Sequence, residues 1–285
     1  MSLTQEMKQY LKSLGADLVG VAPVERFEGA PRRPEEILPG ARSVVVIGLR
    51  IPLASVDAWK KLMKSYQVYG HGWLNFHLSF MEYHLAQFLE DRGYHALPLS
   101  SLDPYYDMKT FMTEGLSNRH AAVAAGLGEF GWNNLFLSPR FGPRVRLTTT
   151  ITSAPLEADP MYSGPPLCLK QRCLKCVEEC PMQVFDRQDG IQVTIAGRAF
   201  EMSRLDGERK YLCRWCEHGL TRRGGALTEI PIPEEKTPEA YLDAWDKRDR
   251  YQKRRQGMFG GIYFCGRCVH VCPVGRGHQA QVGCQ

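Results

Sequence analysis

Two cysteine-rich stretches decide the fold of the second half of the chain: CLKQRCLKCVEECP at residues 168–181 and CGRCVHVCP at residues 265–273. Together they hold seven of the ten cysteines in the 285 residues. Thiolates are the ligands that iron–sulfur clusters require, and a run ending Cys-x3-Cys-Pro usually gives its last cysteine to the neighbouring cluster. The spacing therefore predicts a redox protein that holds two iron–sulfur clusters.

Each [4Fe–4S] cluster takes four cysteine thiolates, so one ligand must come from outside the two stretches. A crossover assigns the first cluster to Cys168, Cys173, Cys176 and Cys272. It assigns the second cluster to Cys180, Cys265, Cys268 and one further cysteine. We choose Cys213 for that position, with Cys216 second. Cys284 is disfavoured because chain ends fray.

Zinc and disulfides are the alternatives for these cysteines. Zinc sites gather four ligands from separated pairs, whereas dense triplets followed by Cys-Pro suit clusters. Disulfides are disfavoured because no apolar secretory segment opens the chain, and we therefore expect a cytoplasmic protein. Hydrophobic residues make up 44% of the chain, and no run approaches the roughly twenty apolar residues of a membrane-spanning helix. We expect a globular protein without a membrane span.

The net charge of +5 is unevenly distributed, because basic residues crowd the segment 247–255. Such a segment suits an acidic electron donor or nucleic acid. Acidic residues are interleaved with the basic ones, and this pattern is typical of a solvated helix face. We favour the solvated face.

Hydrophobic periodicity predicts an α/β chain. Helices are predicted over residues 4–14, 73–92, 117–125 and 239–256, the third capped by Ser117 or Asn118. Strands are predicted over residues 17–24, 43–49, 94–99, 145–151 and 191–195. The β-branched run 43–49 is typical of a strand buried on both faces. We interpret His77 and His84, two turns apart on the second helix, as part of a packing face rather than as metal ligands.

The stretch RHAAVAAGLGEFG at residues 119–131, continued by FGPRVR at 141–146, resembles the superfamily of epoxyqueuosine reductases and reductive dehalogenases. The two cysteine-rich stretches and a middle cysteine follow in the same order as in that superfamily. The resemblance implies a nitroreductase-like cobalamin-binding domain over residues 1–160. It implies a ferredoxin-like domain with two [4Fe–4S] clusters over residues 161–285. The implied fold class is α/β (α+β).

The resemblance also implies a base-off cobalamin that receives electrons through the two clusters from a ferredoxin- or flavodoxin-like donor. The loop from residue 126 to 146 is rich in glycine, asparagine and arginine, a composition that suits a ligand cradle. The corrin contacts are expected there, at Gly126, Gly128, Asn133, Asn134, Ser138, Gly142 and Arg144. No Asp-x-His-x-x-Gly motif occurs, so no axial histidine is expected.

Two departures from the family limit the choice of substrate. In epoxyqueuosine reductases an acidic proton donor precedes the Ala-Gly-Leu-Gly motif, but an ungapped count places Met112 there, which has no proton to donate. Glu114, His120 and Tyr106 are the remaining candidates for proton transfer. The chain also ends soon after Cys272, where those reductases commonly carry helical repeats that grip tRNA, so a tRNA substrate is disfavoured.

Respiratory dehalogenases begin with a twin-arginine signal that is absent here. We therefore expect a cytoplasmic, cobalamin- and iron–sulfur-dependent reductase of a small organic molecule. A corrinoid-binding or corrinoid-reducing protein without its own substrate is one alternative. An epoxyqueuosine reductase acting on tRNA is the other.

Overall fold

The computed structural model describes residues 1–100, 106–107, 112–113, 116–226, 228–248, 250, 253 and 265–276. The strands of these residues are β1 (Leu18–Pro23), β2 (Ser43–Arg50), β3 (Ala96–Pro98), β4 (Tyr106–Asp107), β5 (Met112–Thr113), β6 (Glu129–Phe130), β7 (Phe136–Leu137), β8 (Val145–Thr152), β9 (Gly190–Ile195) and β10 (Arg198–Ser203). The helices are α1 (Leu3–Ser13), α2 (Pro34–Ile37), α3 (Leu53–Asp57), α4 (Met63–Gln67), α5 (Trp73–Glu90), α6 (Asn118–Ala124), α7 (Lys175–Glu178), α8 (Gly207–Glu217), α9 (Pro238–Asp246) and α10 (Arg267–Val271).

The central sheet has four antiparallel strands in the order β1-β2-β8-β3. Strand β2 lies inside the sheet and pairs with β8 from Ser43 opposite Thr152 to Arg50 opposite Val145. Residues 43–49 of β2 are buried, so the prediction of a strand covered on both faces is confirmed. Strand β8 is buried on both faces as well, because helices cover both sides of the sheet.

Alternate side chains of β2 point to opposite faces of the sheet and join two separate cores. On one face Val45 and Ile47 pack with α1 and α5, whose contributing residues are Met7, Leu11, Leu78, Met81, Leu85 and Leu89. On the other face Val44 and Val46 pack with α6 and with the β9–β10 hairpin. The hairpin thus shares a core with the first part of the chain, and the division near residue 160 stays a prediction.

Two local predictions about helices differ from the structure. Ser117 is the N-cap of α6, but its side chain makes no capping hydrogen bond, because its Oγ lies 2.8 Å from Nδ1 of His120. His77 is exposed and His84 half-buried, because the buried stripe of α5 runs one position further along the helix. The packing-face interpretation is therefore wrong for His77.

The basic segment is only partly a solvated face. Lys247 is exposed and forms an ion pair with Asp243 at 2.5 Å. Arg248 is 7% exposed, and its guanidinium lies 3.4 Å from the centre of the Trp245 ring. Helix α9 ends at Asp246, and most of the predicted helix beyond it lies outside the described residues. None of the helices in the described parts is long and apolar enough to cross a membrane.

Candidate cluster-binding site

The nine cysteines that the structure describes are all free of disulfides, and Cys284 lies outside the described residues. The thiols form two groups. Each group is defined by the thiols whose charges shift one another's pKa values. The first group is Cys168, Cys173, Cys176 and Cys272. The second group is Cys180, Cys213, Cys216, Cys265 and Cys268.

Each cysteine-rich stretch contributes to both groups. The pKa of Cys272 is raised to about 11, by burial first and also by the charges of Cys168 and Cys173. Cys272 therefore lies with the first stretch although it belongs to the second. Conversely, Cys180 ends the first stretch but interacts with Cys265. This is the grouping that the crossover predicts, and the assignment of ligands remains a prediction.

Short helices bring the two groups side by side. Helix α7 carries Cys176, α10 carries Cys268, and the two helices pack against each other. Burial raises the pKa of Cys176 to about 12, with further contributions from Cys168, Cys272 and Cys173. Cys176 also raises the pKa of Cys268. The two groups of thiols are thus neighbours.

The second group contains five thiols, and α8 supplies two of them. Cys213 and Cys216 are three residues apart and therefore share one side of the helix. The thiols of Cys216 and Cys265 act on each other, and this interaction raises the pKa of Cys216 and lowers that of Cys265. Apolar side chains surround the group, namely Met182, Val184, Phe185, Val177, Leu205 and Leu212.

A buried tyrosine, which sequence reasoning missed, lies beside this second group. Tyr66 is 1% exposed, and its pKa is raised by burial and then by Cys268 and Cys265. A Cβ placed on Gly266 would come within 2.4 Å of the Tyr66 ring. The sequence carries no signal for this contact, because Tyr66 and Gly266 lie two hundred residues apart.

The loop from residue 126 to 146 contacts the first group directly. The backbone N–H of Trp132 donates a hydrogen bond of 3.3 Å to Sγ of Cys168. The Arg144 guanidinium is 3% exposed and donates to the carbonyl oxygens of Cys272 at 2.8 Å and Val269 at 3.3 Å. It also donates to the carbonyl of Val274. The loop thus holds both cysteine-rich stretches.

The polar side chains expected to contact a corrin are already bonded within the chain. The side chain of Asn134 donates to the carbonyl of Ser203 at 2.7 Å, and that of Asn133 accepts from the N–H of Leu135 at 3.2 Å. The Ser138 hydroxyl accepts from the N–H groups of Arg140 and Phe141. Together with Arg144, these side chains build the loop.

The glycines of the loop pack closely against other parts of the backbone. A Cβ on Gly126 would lie 2.0 Å from the carbonyl oxygen of Pro160, and one on Gly128 would lie 1.9 Å from that of Leu137. On the side where a side chain would project, both positions are filled by backbone. The expectation that these residues contact a cobalamin stays a prediction.

The candidates for proton transfer are placed as follows. His120 is packed against Phe130, and burial followed by the charge of Arg119 lowers its pKa to about 4, so it is neutral at pH 7. The backbone of Tyr106 pairs with Thr113 in the β4–β5 ladder. The side chain of Tyr106 and all of Glu114 lie outside the described residues.

Glu82 is a titratable group that sequence reasoning missed. It lies on the inner side of α5 with 1% of its surface exposed, and neither carboxyl oxygen has a hydrogen-bond partner among the described residues. Burial raises its pKa to about 7, although the hydroxyl of Thr148 and nearby backbone groups oppose the rise. A signal was present in the sequence, because Glu82 falls between Met81 and Leu85 of the apolar stripe.

A cavity of about 650 Å³ lies away from the thiols and has no cysteine in its lining, which includes Glu25, Glu28, Gln192 and Thr194. In the part of the chain that the structure describes, no three His, Cys, Asp or Glu side chains converge on a single metal ion. In a [4Fe–4S] cluster each cysteine thiolate binds a different iron, so the thiols need not converge on one ion, and the two thiol groups are the candidate site.

Comparison with known proteins gives relatives of two kinds. The epoxyqueuosine reductase of Bacillus cereus is 27% identical over 308 aligned residues, which cover 96% of this chain and 65% of the relative. The tetrachloroethene reductive dehalogenase of Sulfurospirillum multivorans is 26% identical over 195 residues, which cover 68% of this chain and 28% of the relative. No family model matches. The chain spans about 65% of the length of the first relative.

Solved structures of both kinds share the fold. An epoxyqueuosine reductase bound to an epoxyqueuosine-modified tRNA-Tyr stem loop gives a TM-score of 0.55 at 18% identity, covering 96% of this chain and 80% of that one. A reductive dehalogenase whose structure suggests a mechanism for B12-dependent dehalogenation gives 0.54 at 18% identity, covering 89% and 35%. The predicted mixed α/β class is confirmed, and the division into two domains stays a prediction.

Proposed function

We propose, from the premise that this chain belongs to the superfamily of epoxyqueuosine reductases and reductive dehalogenases, that it is a cytoplasmic reductase of a small organic substrate. In this proposal it holds two [4Fe–4S] clusters and a cobalamin, and it receives electrons from a ferredoxin- or flavodoxin-like donor. The redox role itself is supported by the reductases among its homologues.

The observation that supports the proposal is that each cysteine-rich stretch contributes thiols to both groups. Cys272 lies with the first group and Cys180 with the second, so each group holds at least four thiols drawn from both stretches. Thiols without disulfides match the donor set of a [4Fe–4S] cluster. Such a cluster, when bound, stores and passes on one electron at a time.

The surrounding residues suit an electron-transfer site. Met182, Val184 and Phe185 pack beside the second group, and solvent exposure is one of the properties that set a cluster's potential. The N–H of Trp132 and the guanidinium of Arg144 supply hydrogen bonds and positive charge beside the first group. The contact between α7 and α10 keeps the two groups adjacent, which suits transfer of electrons from one cluster to the other.

The cobalamin part rests on the likeness to a dehalogenase whose title concerns B12-dependent chemistry. Because the polar groups of the loop 126–146 are bonded within the chain, we assign none of them to the corrin. We likewise assign no proton donor, since His120 is neutral at pH 7.

Reduction of epoxyqueuosine in tRNA is the second candidate, and the homologues support it equally. One observation favours it: the epoxyqueuosine reductase of Bacillus cereus aligns with 96% of this chain, and the dehalogenase of Sulfurospirillum multivorans with 68%. Met112 at the position of the expected acid opposes it.

The experiment starts from the chain reconstituted anaerobically with iron, sulfide and cobalamin and passed through gel filtration. The reconstituted protein is then given a low-potential electron donor and either a halogenated phenol or an epoxyqueuosine-containing tRNA stem loop. Turnover of the phenol supports the first proposal, and turnover of the stem loop alone selects the second. Cobalamin that stays bound without any turnover selects the corrinoid-handling role. A protein that does not retain cobalamin contradicts the cobalamin part of the proposal.

A further inference from the structure

Arg144 connects the loop 126–146 to the end of the second cysteine-rich stretch. Its guanidinium is buried and donates to the carbonyl oxygens of Val269 and Cys272 in that stretch and of Val274 just after it. These acceptors are 125 to 130 residues away in sequence. Five donors in a rigid planar fork allow an arginine to bind several acceptors at once, which a lysine cannot imitate.

The two loops also touch backbone to backbone. A Cβ on Gly142 would lie 2.0 Å from the carbonyl oxygen of Val274, and one on Gly275 would lie 2.2 Å from the amide nitrogen of Gly142. Both glycines have positive φ angles, +56° and +72°, a conformation that glycine adopts without steric cost. The position of the Cys272 carbonyl relative to Arg144 is therefore fixed by the fold.

Two contacts from one loop reach two different thiols of the first group. The positive charge of Arg144 acts on the Cys272 thiol, and the N–H of Trp132 donates to Sγ of Cys168. A cluster becomes more negative when it takes up an electron, so a buried cation and an N–H donor stabilise its reduced state. Among the described residues, the leading charges on the thiols of the second group come from side chains other than Arg144.

We propose that Arg144 is a positioning residue that holds the Cys272 turn in place and raises the reduction potential of the cluster formed by the first group. This inference rests on the proposed iron–sulfur function. In this inference the loop 126–146 supports the first cluster structurally. The glycines and polar side chains of the loop serve the same purpose, because they fix the backbone from which Trp132 and Arg144 reach the thiols.

The test is a potentiometric titration of the reconstituted full chain, followed by electron paramagnetic resonance. Arg144→Gln removes the charge, and we expect it to lower the midpoint potential of one cluster and leave the other unchanged. Arg144→Lys keeps the charge but loses the fork, and we expect a smaller shift of the same cluster. A Cys272→Ser variant identifies the signal of the first group. Arg140→Gln is the matched control, since Arg140 is an exposed arginine of the same loop, and should leave both potentials unchanged.

Iron content distinguishes a failure of the proposed function from a failure of the inference about Arg144. If the wild-type chain forms no clusters, the proposed function is wrong. If it forms two clusters and both potentials are the same in wild type and Arg144→Gln, the inference about Arg144 is wrong. Should Arg144→Gln lose one cluster, Arg144→Lys decides: a shift confined to the first cluster supports the inference, and an unchanged potential overturns it.

Discussion

The thiols of Cys216 and Cys265 act on each other, which raises the pKa of Cys216 and lowers that of Cys265. This interaction joins the end of α8 to the second cysteine-rich stretch, and Cys216 is 2% exposed there. Cys213, one turn earlier on α8, is near the same thiols. Since a [4Fe–4S] cluster takes four thiolates and the second group has five, one cysteine is surplus. The interaction with Cys265 favours Cys216 as the ligand, which reverses the preference for Cys213 drawn from the sequence.

Replacing each of these cysteines separately identifies the ligand. We expect Cys216→Ser to lose the second cluster, so that iron falls to about half of the wild-type content, because serine is a poor substitute for a thiolate. Cys213→Ser is the matched control on the same helix and should keep the wild-type iron content. Iron analysis of the anaerobically reconstituted proteins measures both. The reverse pattern would show that Cys213 is the ligand.

The close approach at Gly126 predicts a large loss of stability on substitution. Gly126 and Gly197 have similar positive φ angles, +73° and +75°, but a Cβ at Gly197 meets nothing within 4 Å. Gly197→Ala should therefore lose only about 1–2 kcal/mol, the cost of the left-handed conformation. Gly126→Ala should lose roughly 1–3 kcal/mol more, because the methyl group collides with the Pro160 carbonyl. Chemical denaturation compares the two variants, and equal losses would contradict the close approach.

The buried carboxyl of Glu82 predicts that its contribution to stability falls as pH rises. Its pKa is raised from 4.5 to about 7 in the folded chain, so the folded state binds the proton more tightly than the unfolded state. The contribution is fully present below pH 4.5 and is lost as pH rises to about 7. The loss is on the order of 3 kcal/mol. Glu82→Gln should be more stable than wild type at pH 8, measured by denaturation, and a variant less stable at pH 8 contradicts the assignment.

The buried imidazole of His120 predicts that its contribution to stability falls as pH falls, which is opposite to Glu82 in nearly the same pH range. Its pKa is lowered from 6.5 to about 4 in the folded chain, so the unfolded state takes up the proton first. Stability from this residue is present above pH 6.5 and is lost as pH falls toward 4, by roughly 3 kcal/mol. His120→Asn should lose less stability than wild type between pH 7 and pH 5. Identical pH profiles of the two proteins would show that His120 is not held neutral by burial.

The elements that were predicted correctly depend on local patterns. Helix α1 ends where Gly15 takes a φ of +100°, and the β-branched run of β2 forms the buried strand. The cysteine spacing likewise predicts that each stretch gives cysteines to both groups, because the ligand chemistry of iron–sulfur clusters constrains this spacing. What could not be predicted depends on distant partners: Arg144 binds a carbonyl 128 residues away. A composition rich in glycine and arginine does not distinguish a loop that binds a ligand from a loop that supports a cluster structurally.

Iron and sulfide analysis with Mössbauer spectroscopy of the anaerobically reconstituted chain tests the central claim most directly. The exchange of Cys180 and Cys272 between the two groups predicts two [4Fe–4S] clusters, which amount to about eight irons and eight sulfides per chain. Cys272→Ser should disturb one cluster only. A wild-type chain that binds zinc in place of iron, or that holds a single cluster, would contradict the account.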